Sequence, residues 1–289
     1  MQWFKRRIIW LLLLLAGPLL VGCSALRLSY NQAPLVAYWW LDGYADFNAE
    51  QTPLVKAALD EWLAWHRNSK LRDYAQALAA MQALVVDKVT ASQVCSTVVA
   101  WQQRGERAFE QAVPAITDLV RSLSPEQIKQ IERQQAKKQG DAVADYLQQE
   151  PAERQKASFE RALDRAETLY GKLDEPQRRR LALDLSASPF NPERWLAERR
   201  ARQIDIVRSL RQWQAERSDV ATVAAGLRRL AAEPLQSPRA DYQAYANGVM
   251  DANCTLIANL HNSTQPAQRQ HAVKKLRGWE GDLRALTVR

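Results

Sequence analysis

Apolar residues recur at helical spacing along most of this chain. Residues 70–87 carry Leu71, Tyr74, Leu78, Met81 and Val85 three or four positions apart. Residues 192–217 carry Trp195, Ile206, Leu210 and Trp213 with arginines between them. Such stripes mark the buried face of an amphipathic helix. Prolines mark where helices begin. Ser124-Pro125-Glu126-Gln127 has the order of a capping box, in which the cap hydroxyl and the Gln side chain satisfy each other's backbone N–H. Thr52-Pro53, Asn191-Pro192 and Ser237-Pro238 repeat the cap-plus-proline signature, and Ser263 or Thr264 stands where a last helix would be capped. The pattern predicts helices near 50–68, 70–87, 91–122, 125–149, 151–172, 175–186, 192–217, 219–232, 238–262 and 265–286. Pro114 is expected to kink or split the third, because it removes a donor and crowds the carbonyl one turn back. No sustained two-residue alternation and no Asn-Gly turn argues for strands. The expectation is an all-α, multi-helix bundle of about nine or ten helices. Composition agrees: only 10 of 289 residues are Gly, and a 47% hydrophobic fraction is enough to fill a core.

The N-terminus breaks this pattern. Lys5, Arg6 and Arg7 precede an unbroken apolar run from Ile8 to Leu15, which Ala16-Gly17-Pro18 ends. A charged start before a short apolar core reads as a secretory signal peptide. The apolar stretch to Val21 is short against the roughly 20 residues that a membrane span needs. Leu20-Val21-Gly22-Cys23 follows and resembles the bacterial lipobox. That resemblance implies a diacylglyceryl group on the Cys23 thiol, cleavage just before it, and a chain tethered by lipid. Ser24, where an aspartate would signal retention at the inner membrane, implies the periplasmic face of the outer membrane. The chain then divides into a signal peptide over 1–22, a lipidated aromatic-rich segment over 23–48, and a helical body over 49–289, expected to be one unit.

Export changes the reading of the other two cysteines. Cys95 and Cys254 would meet an oxidising compartment, where two thiols are candidates for one disulfide closing a very long loop. Two separately buried thiols are the alternative. A redox pair lacks its C-x-x-C motif, and zinc lacks its ligands, with three His in the chain and Cys254 to His261 an unusual spacing. In the segment after Cys23, Tyr30, Tyr38, Trp39, Trp40 and Tyr44 crowd into 15 residues. These rings suit either a membrane interface or the start of the core.

The formal net charge is +8, and three of the positives lie ahead of Cys23. This weak excess favours anionic surfaces. Every basic cluster has acids beside it, so a nucleic-acid partner is not expected. Arg178-Arg179-Arg180 and Arg199-Arg200 with Arg202 are candidates for a client- or anion-binding surface, against the plainer reading of solvated faces paired with Asp174, Asp184 and Glu198. His66, beside Trp65 and Arg67, suits a helix C-terminus, and His261 and His271 suit helix surfaces. No H-E-x-x-H, G-x-S-x-G or phosphate-loop motif occurs. The chain reads as a non-enzymatic protein without a cofactor. A glycan hydrolase would need two carboxylates facing one cleft, and the sequence marks no such pair.

Two short motifs add a partner class. Leu123-Ser124-Pro125-Glu126-Gln127 and Leu173-Asp174-Glu175-Pro176-Gln177 share the form Leu-x-x-x-Gln and open helices 50 residues apart. The pair resembles the L-T-x-x-Q motifs of small periplasmic stress chaperones, with Ser124 and Asp174 in place of Thr. Over residues 120–186 that resemblance implies a helical, ATP-independent cradle whose basic and apolar face holds unfolding clients. A wider similarity rests on Tyr30-Asn31, Tyr38 to Asp42, Trp62, Trp65-His66-Arg67, Leu123 to Gln127, Pro189 to Pro192 and Arg199 to Gln203, in that order. Over nearly the full length the chain resembles a family of uncharacterised Gram-negative lipoproteins of the Pseudomonas type, catalogued as a domain of unknown function. This implies an all-helical outer-membrane lipoprotein and transfers no catalytic residue. The functions expected are protein binding, chaperoning or scaffolding in the periplasm, or else binding of an anionic envelope glycan or lipid through the arginines.

Overall fold

The computed structural model describes residues 25–287, and the signal peptide expected over 1–22, Cys23 and Ser24 lie outside the described residues. Twelve α-helices follow one another, with no strand among the described residues. They are α1 (Ala25–Asn31), α2 (Ala33–Ala45), α3 (Gln51–Ser69), α4 (Leu71–Leu84), α5 (Ala91–Arg121), α6 (Pro125–Tyr146), α7 (Pro151–Tyr170), α8 (Glu175–Ser186), α9 (Pro192–Ala215), α10 (Val220–Ala232), α11 (Ala240–Asn262) and α12 (Pro266–Leu286). Among the described residues no helix is long and apolar enough to cross a membrane.

The two helices beyond the ten expected are α1 and α2. Residues 28–41 contain no charged side chain, so they lack the polar face by which periodicity reveals a helix. Elsewhere the caps explain the starts. Thr90, Ser124, Asp174, Asn191 and Asp219 each accept a hydrogen bond from a first-turn backbone N–H, satisfying donors that a helix N-terminus leaves open. Three expected caps shift. The one expected at Thr52 lies earlier, because Asn48 accepts from the N–H groups of Glu50 and Gln51, and the helix starts at Gln51, near the expected residue 50. The helix after Ser237-Pro238 begins at Ala240, because the Ser237 hydroxyl accepts from Arg239 N and donates to Glu198. The last helix is capped at Gln265, while the hydroxyls of Ser263 and Thr264 donate back to Leu260 and His261 carbonyls. Pro114 does not split α5, which runs through it for 31 residues, about 46 Å at 1.5 Å per residue.

That long helix serves two cores. The first gathers Leu78 and Val85, Ala166 and Tyr170 of α7, Leu173, Leu181 of α8, Leu260 of α11, and Ala272 and Leu276 of α12, with Trp101 from the N-terminal half of α5 against it. The second gathers Ala45, Leu123, Ile128 of α6, Val207, Leu210 and Trp213 of α9, and Val223 of α10, with Val120 from the C-terminal half of α5 against it. A disulfide between Cys95 of α5 and Cys254 of α11, 159 residues apart, ties the first core to that shared helix. In the second core α10 comes so close to α9 that a Cβ at Gly226 would stand 2.1 Å from Cζ2 of Trp213.

Candidate functional site

The first feature is built from glutamines. Gln127 accepts from the N–H of its own cap, Ser124, and donates to Asp46 O at 3.1 Å and to Gln51 Oε1 at 2.6 Å. Gln51 does the reverse: it accepts from Asn48 N, its own cap, and donates to Ser122 O at 3.0 Å. Each carboxamide thus caps its own helix and reaches the carbonyl two residues ahead of the partner helix's cap. The same geometry recurs across the molecule. Gln177 accepts from Asp174 N and donates to Ser263 O at 3.0 Å, while Gln268 accepts from Gln265 N and donates to Lys172 O at 2.9 Å. Gln177 and Gln268 also bond to each other. The Leu-x-x-x-Gln motifs at 123 and 173 therefore do not pair with each other. Each clamps an expected helix start whose glutamine the sequence reading did not single out: Phe47-Asn48-Ala49-Glu50-Gln51 and Thr264-Gln265-Pro266-Ala267-Gln268. A cap residue followed three positions later by Gln was the signal available for both.

The second feature is a groove of about 390 Å³ between α6 and α9. Buried Val207 floors it, Ala136 and Gln135 form one wall, and Ile204, 49% exposed, forms part of the other. Arg200, Arg208 and Arg211 stand around it. Arg211 pairs with Glu132 across the groove and Arg208 with Asp205 at 3.0 Å. Arg200 is exposed and makes no ion pair among the described residues. The groove thus holds an apolar patch of Ala136, Ile204 and Val207 among glutamines, with Arg200 at its edge and Arg208 and Arg211 beside their acids. Gln139 donates to Leu196 O at 3.0 Å and fixes α6 against α9 at this point.

The other predicted arginines are spent differently. Arg178 pairs with Glu167 at 3.0 Å and donates to Leu173 O, and Arg180 pairs with Asp184 at 3.0 Å, leaving Arg179 exposed between them. Arg199 lies against the Trp195 ring, and Arg202 faces Glu198. Glu198 is buried. Burial pushes its carboxyl up, but hydrogen bonds from Arg239 and Ser237 outweigh this and hold it below the usual carboxylate range. The two predicted clusters lie on helices of different cores, and only Arg200 opens into the groove.

Two histidines are interior joints. His261 is almost fully buried, with Nδ1 2.9 Å from the Tyr170 hydroxyl and Nε2 2.7 Å from Asp87 O. Burial holds it below the usual imidazole value, and burial pushes Tyr170 up to about 12. The expectation that His261 is a surface residue is corrected: its ring closes the turn after α4. His66 stacks on Trp62, and its Nδ1 lies 2.8 Å from the Tyr30 hydroxyl, joining α1 to α3. His271 Nδ1 is 2.9 Å from Leu169 O.

A model of a family of unknown function, DUF6279, matches residues 43–233. The chain belongs to that family. The part of this DUF6279 chain that matches holds the whole second core, the Gln51–Gln127 pair and the groove, and it ends before α11 and α12, which complete the first core. No curated protein and no solved structure matches the chain.

Proposed function

We propose that this DUF6279 protein is an exported outer-membrane lipoprotein, acylated on Cys23, whose helical body binds protein segments from the periplasmic face without catalysing a reaction. The observation that carries the binding role is the α6–α9 groove, where exposed Ile204 lies among Arg200, Arg208 and Arg211. An apolar floor with Arg200 exposed at its edge suits an unfolded segment that carries apolar and acidic residues. The lipid anchor rests on the lipobox and the short apolar leader. Intact-mass measurement of the membrane-extracted protein tests it: a mature start at Cys23 with acyl chains is expected, and an unmodified Cys23 would overturn it.

The groove is tested by aggregation of a chemically unfolded client. The wild-type protein should slow aggregation at near-stoichiometric ratio, and Ile204→Ser with Arg200→Glu should lose most of that effect. Equal protection by the double variant, or none by the wild type across several clients, would sink the reading. The same arginines favour a second reading, an anionic envelope glycan or lipid. High salt separates the two by degree: it should abolish binding that rests on the exposed arginines alone and only weaken binding that also buries apolar surface.

A further inference from the structure

The strongest unassigned surface is the outward face of α1 and α2. Leu28, Val36, Trp39 and Trp40 are 61%, 56%, 62% and 60% exposed. They lie on one stripe, because the two helices run on with little break: Gln32 N donates to Leu28 O and Val36 N to Gln32 O. The opposite face is fastened to the body. Arg27 pairs with Asp282 at 3.1 Å, the Tyr30 hydroxyl meets His66, Arg67 donates to Asn31 at 2.9 Å, and buried Tyr38 meets Thr52 at 3.2 Å. These ties span both helices and hold the arm with its rings outward. Four large apolar side chains are held in water by a rigid mount, a cost that a monomer in bulk solvent does not offset.

We infer that this face is a lipid-contact surface, lying in the headgroup region of a phospholipid bilayer with Trp39 and Trp40 at the boundary of the acyl chains. The inference rests on the reading that Cys23 is acylated. Two features of the chain select lipid as the occupant. Ala25 begins α1 only two residues after Cys23, a reach of about 7 Å when extended, so a bilayer holding Cys23 lies beside α1. From Ala25 to Leu41 the one charged residue is Arg27, held by Asp282 on the far side. The face therefore meets the bilayer without desolvating a charge, and amphipathic indole rings are favoured at that depth. The anchor and the face together would set the orientation of the body, where acyl chains alone would leave it free to swing.

Depth measurement by spin labelling tests this. The full chain, purified with its own modification, is placed in phosphatidylethanolamine/phosphatidylglycerol vesicles with a nitroxide at Val36→Cys or Trp40→Cys, and at Leu183→Cys on α8 as an exposed control. Collisions with oxygen should exceed those with a soluble nickel chelate at 36 and 40, with the reverse at 183. An aqueous profile at 36 and 40 while the protein stays on the vesicles would overturn the surface and leave the anchor standing. Shielding from both reagents would also overturn it, identifying a second copy where the mass doubles and a retained leader where it does not. Where mass measurement finds no acyl chains, the anchor reading fails by itself. The same labelled chain added to vesicles then decides the surface: a lipid profile at 36 and 40 supports it, and an aqueous one removes it.

Discussion

Replacing Gly226 by Ala sets two known effects against each other. Gly226 lies inside α10, where Ala is favoured over Gly by about 1 kcal/mol. The new methyl would stand 2.1 Å from Cζ2 of Trp213 and 3.0 Å from Cε2 and Cη2. Carbon atoms rest about 3.5–4.0 Å apart, so the ring or the helix must give way by about 1.5 Å. Trp213 is buried in the cluster that holds Val207, Leu210 and Val223, which leaves the ring little room to retreat. Overpacking of this kind costs about 1–3 kcal/mol, and a clash this deep belongs near the upper end. The net effect should be a loss of about 1–2 kcal/mol, read as a lower urea midpoint by far-UV circular dichroism at unchanged slope. Gly140→Ala in α6 and Gly248→Ala in α11 are the controls, since nothing lies within 4 Å of a Cβ at either. Both should raise stability by up to about 1 kcal/mol. Trimming the ring with Trp213→Leu should remove most of the Gly226→Ala penalty in the double variant. A Gly226→Ala protein as stable as the Gly140→Ala protein, or a penalty undiminished beside Leu at 213, would refute the packing argument.

Gln127→Ala should cost about 2–3 kcal/mol, because it takes the capping partner from Ser124 N, strands Asp46 O and removes one bond of the buried Gln51 carboxamide. Lys129→Ala, exposed on the same helix, should change stability by less than about 0.5 kcal/mol, and a similar urea midpoint for the two would contradict the clamp. Acid should act through buried His261 and half-buried His66, whose rings desolvation holds below the usual imidazole value, His66 helped by nearby Lys70. The unfolded chain then takes up protons first. Stability should be full above about pH 6.5, fall as pH drops below it, and level off once the folded rings protonate. Urea midpoints that stay flat or rise over that window, or a slope that survives replacing both rings by Gln, would show that other groups govern it.

The helices that sequence reasoning found are those whose caps and stripes are local. Ser124, Asp174 and Asn191 announce their helices because a short oxygen side chain and a proline sit next to the turn they serve. The α1–α2 arm escaped because its outward side is as apolar as its inward side, leaving no moment to read. The two Leu-x-x-x-Gln motifs were visible, but their partners were not. Resemblance to a paired motif linked them to each other, whereas Gln127 and Gln177 reach across 76 and 91 residues to Gln51 and Gln268. Long-range choices of this kind depend on which helix ends the cores bring together. The groove was half legible: Arg200 was named, while Arg208, Arg211 and Ile204 join it only because α9 lies along α6. Of the triplet at 178–180, two members face acids that come from α7 and from one turn ahead in α8, the pairing that solvated helix faces commonly adopt.

The shared helix α5 gives the molecule an order of completion. Every residue of the second core precedes Leu235, whereas the first core, begun at Leu78, is closed by Leu260, Ala272 and Leu276. The turn after α4 waits as well, since Asp87, Val89 and Val86 are tied to His261, Asn262 and Arg269. A chain delivered N-terminus first can finish one half while an oily trench along α4, α7 and α8 stays open until the final two helices arrive. Cys95 waits for Cys254 of α11, so oxidation of that thiol needs the first of the two closing helices, and the trench shuts when α12 follows.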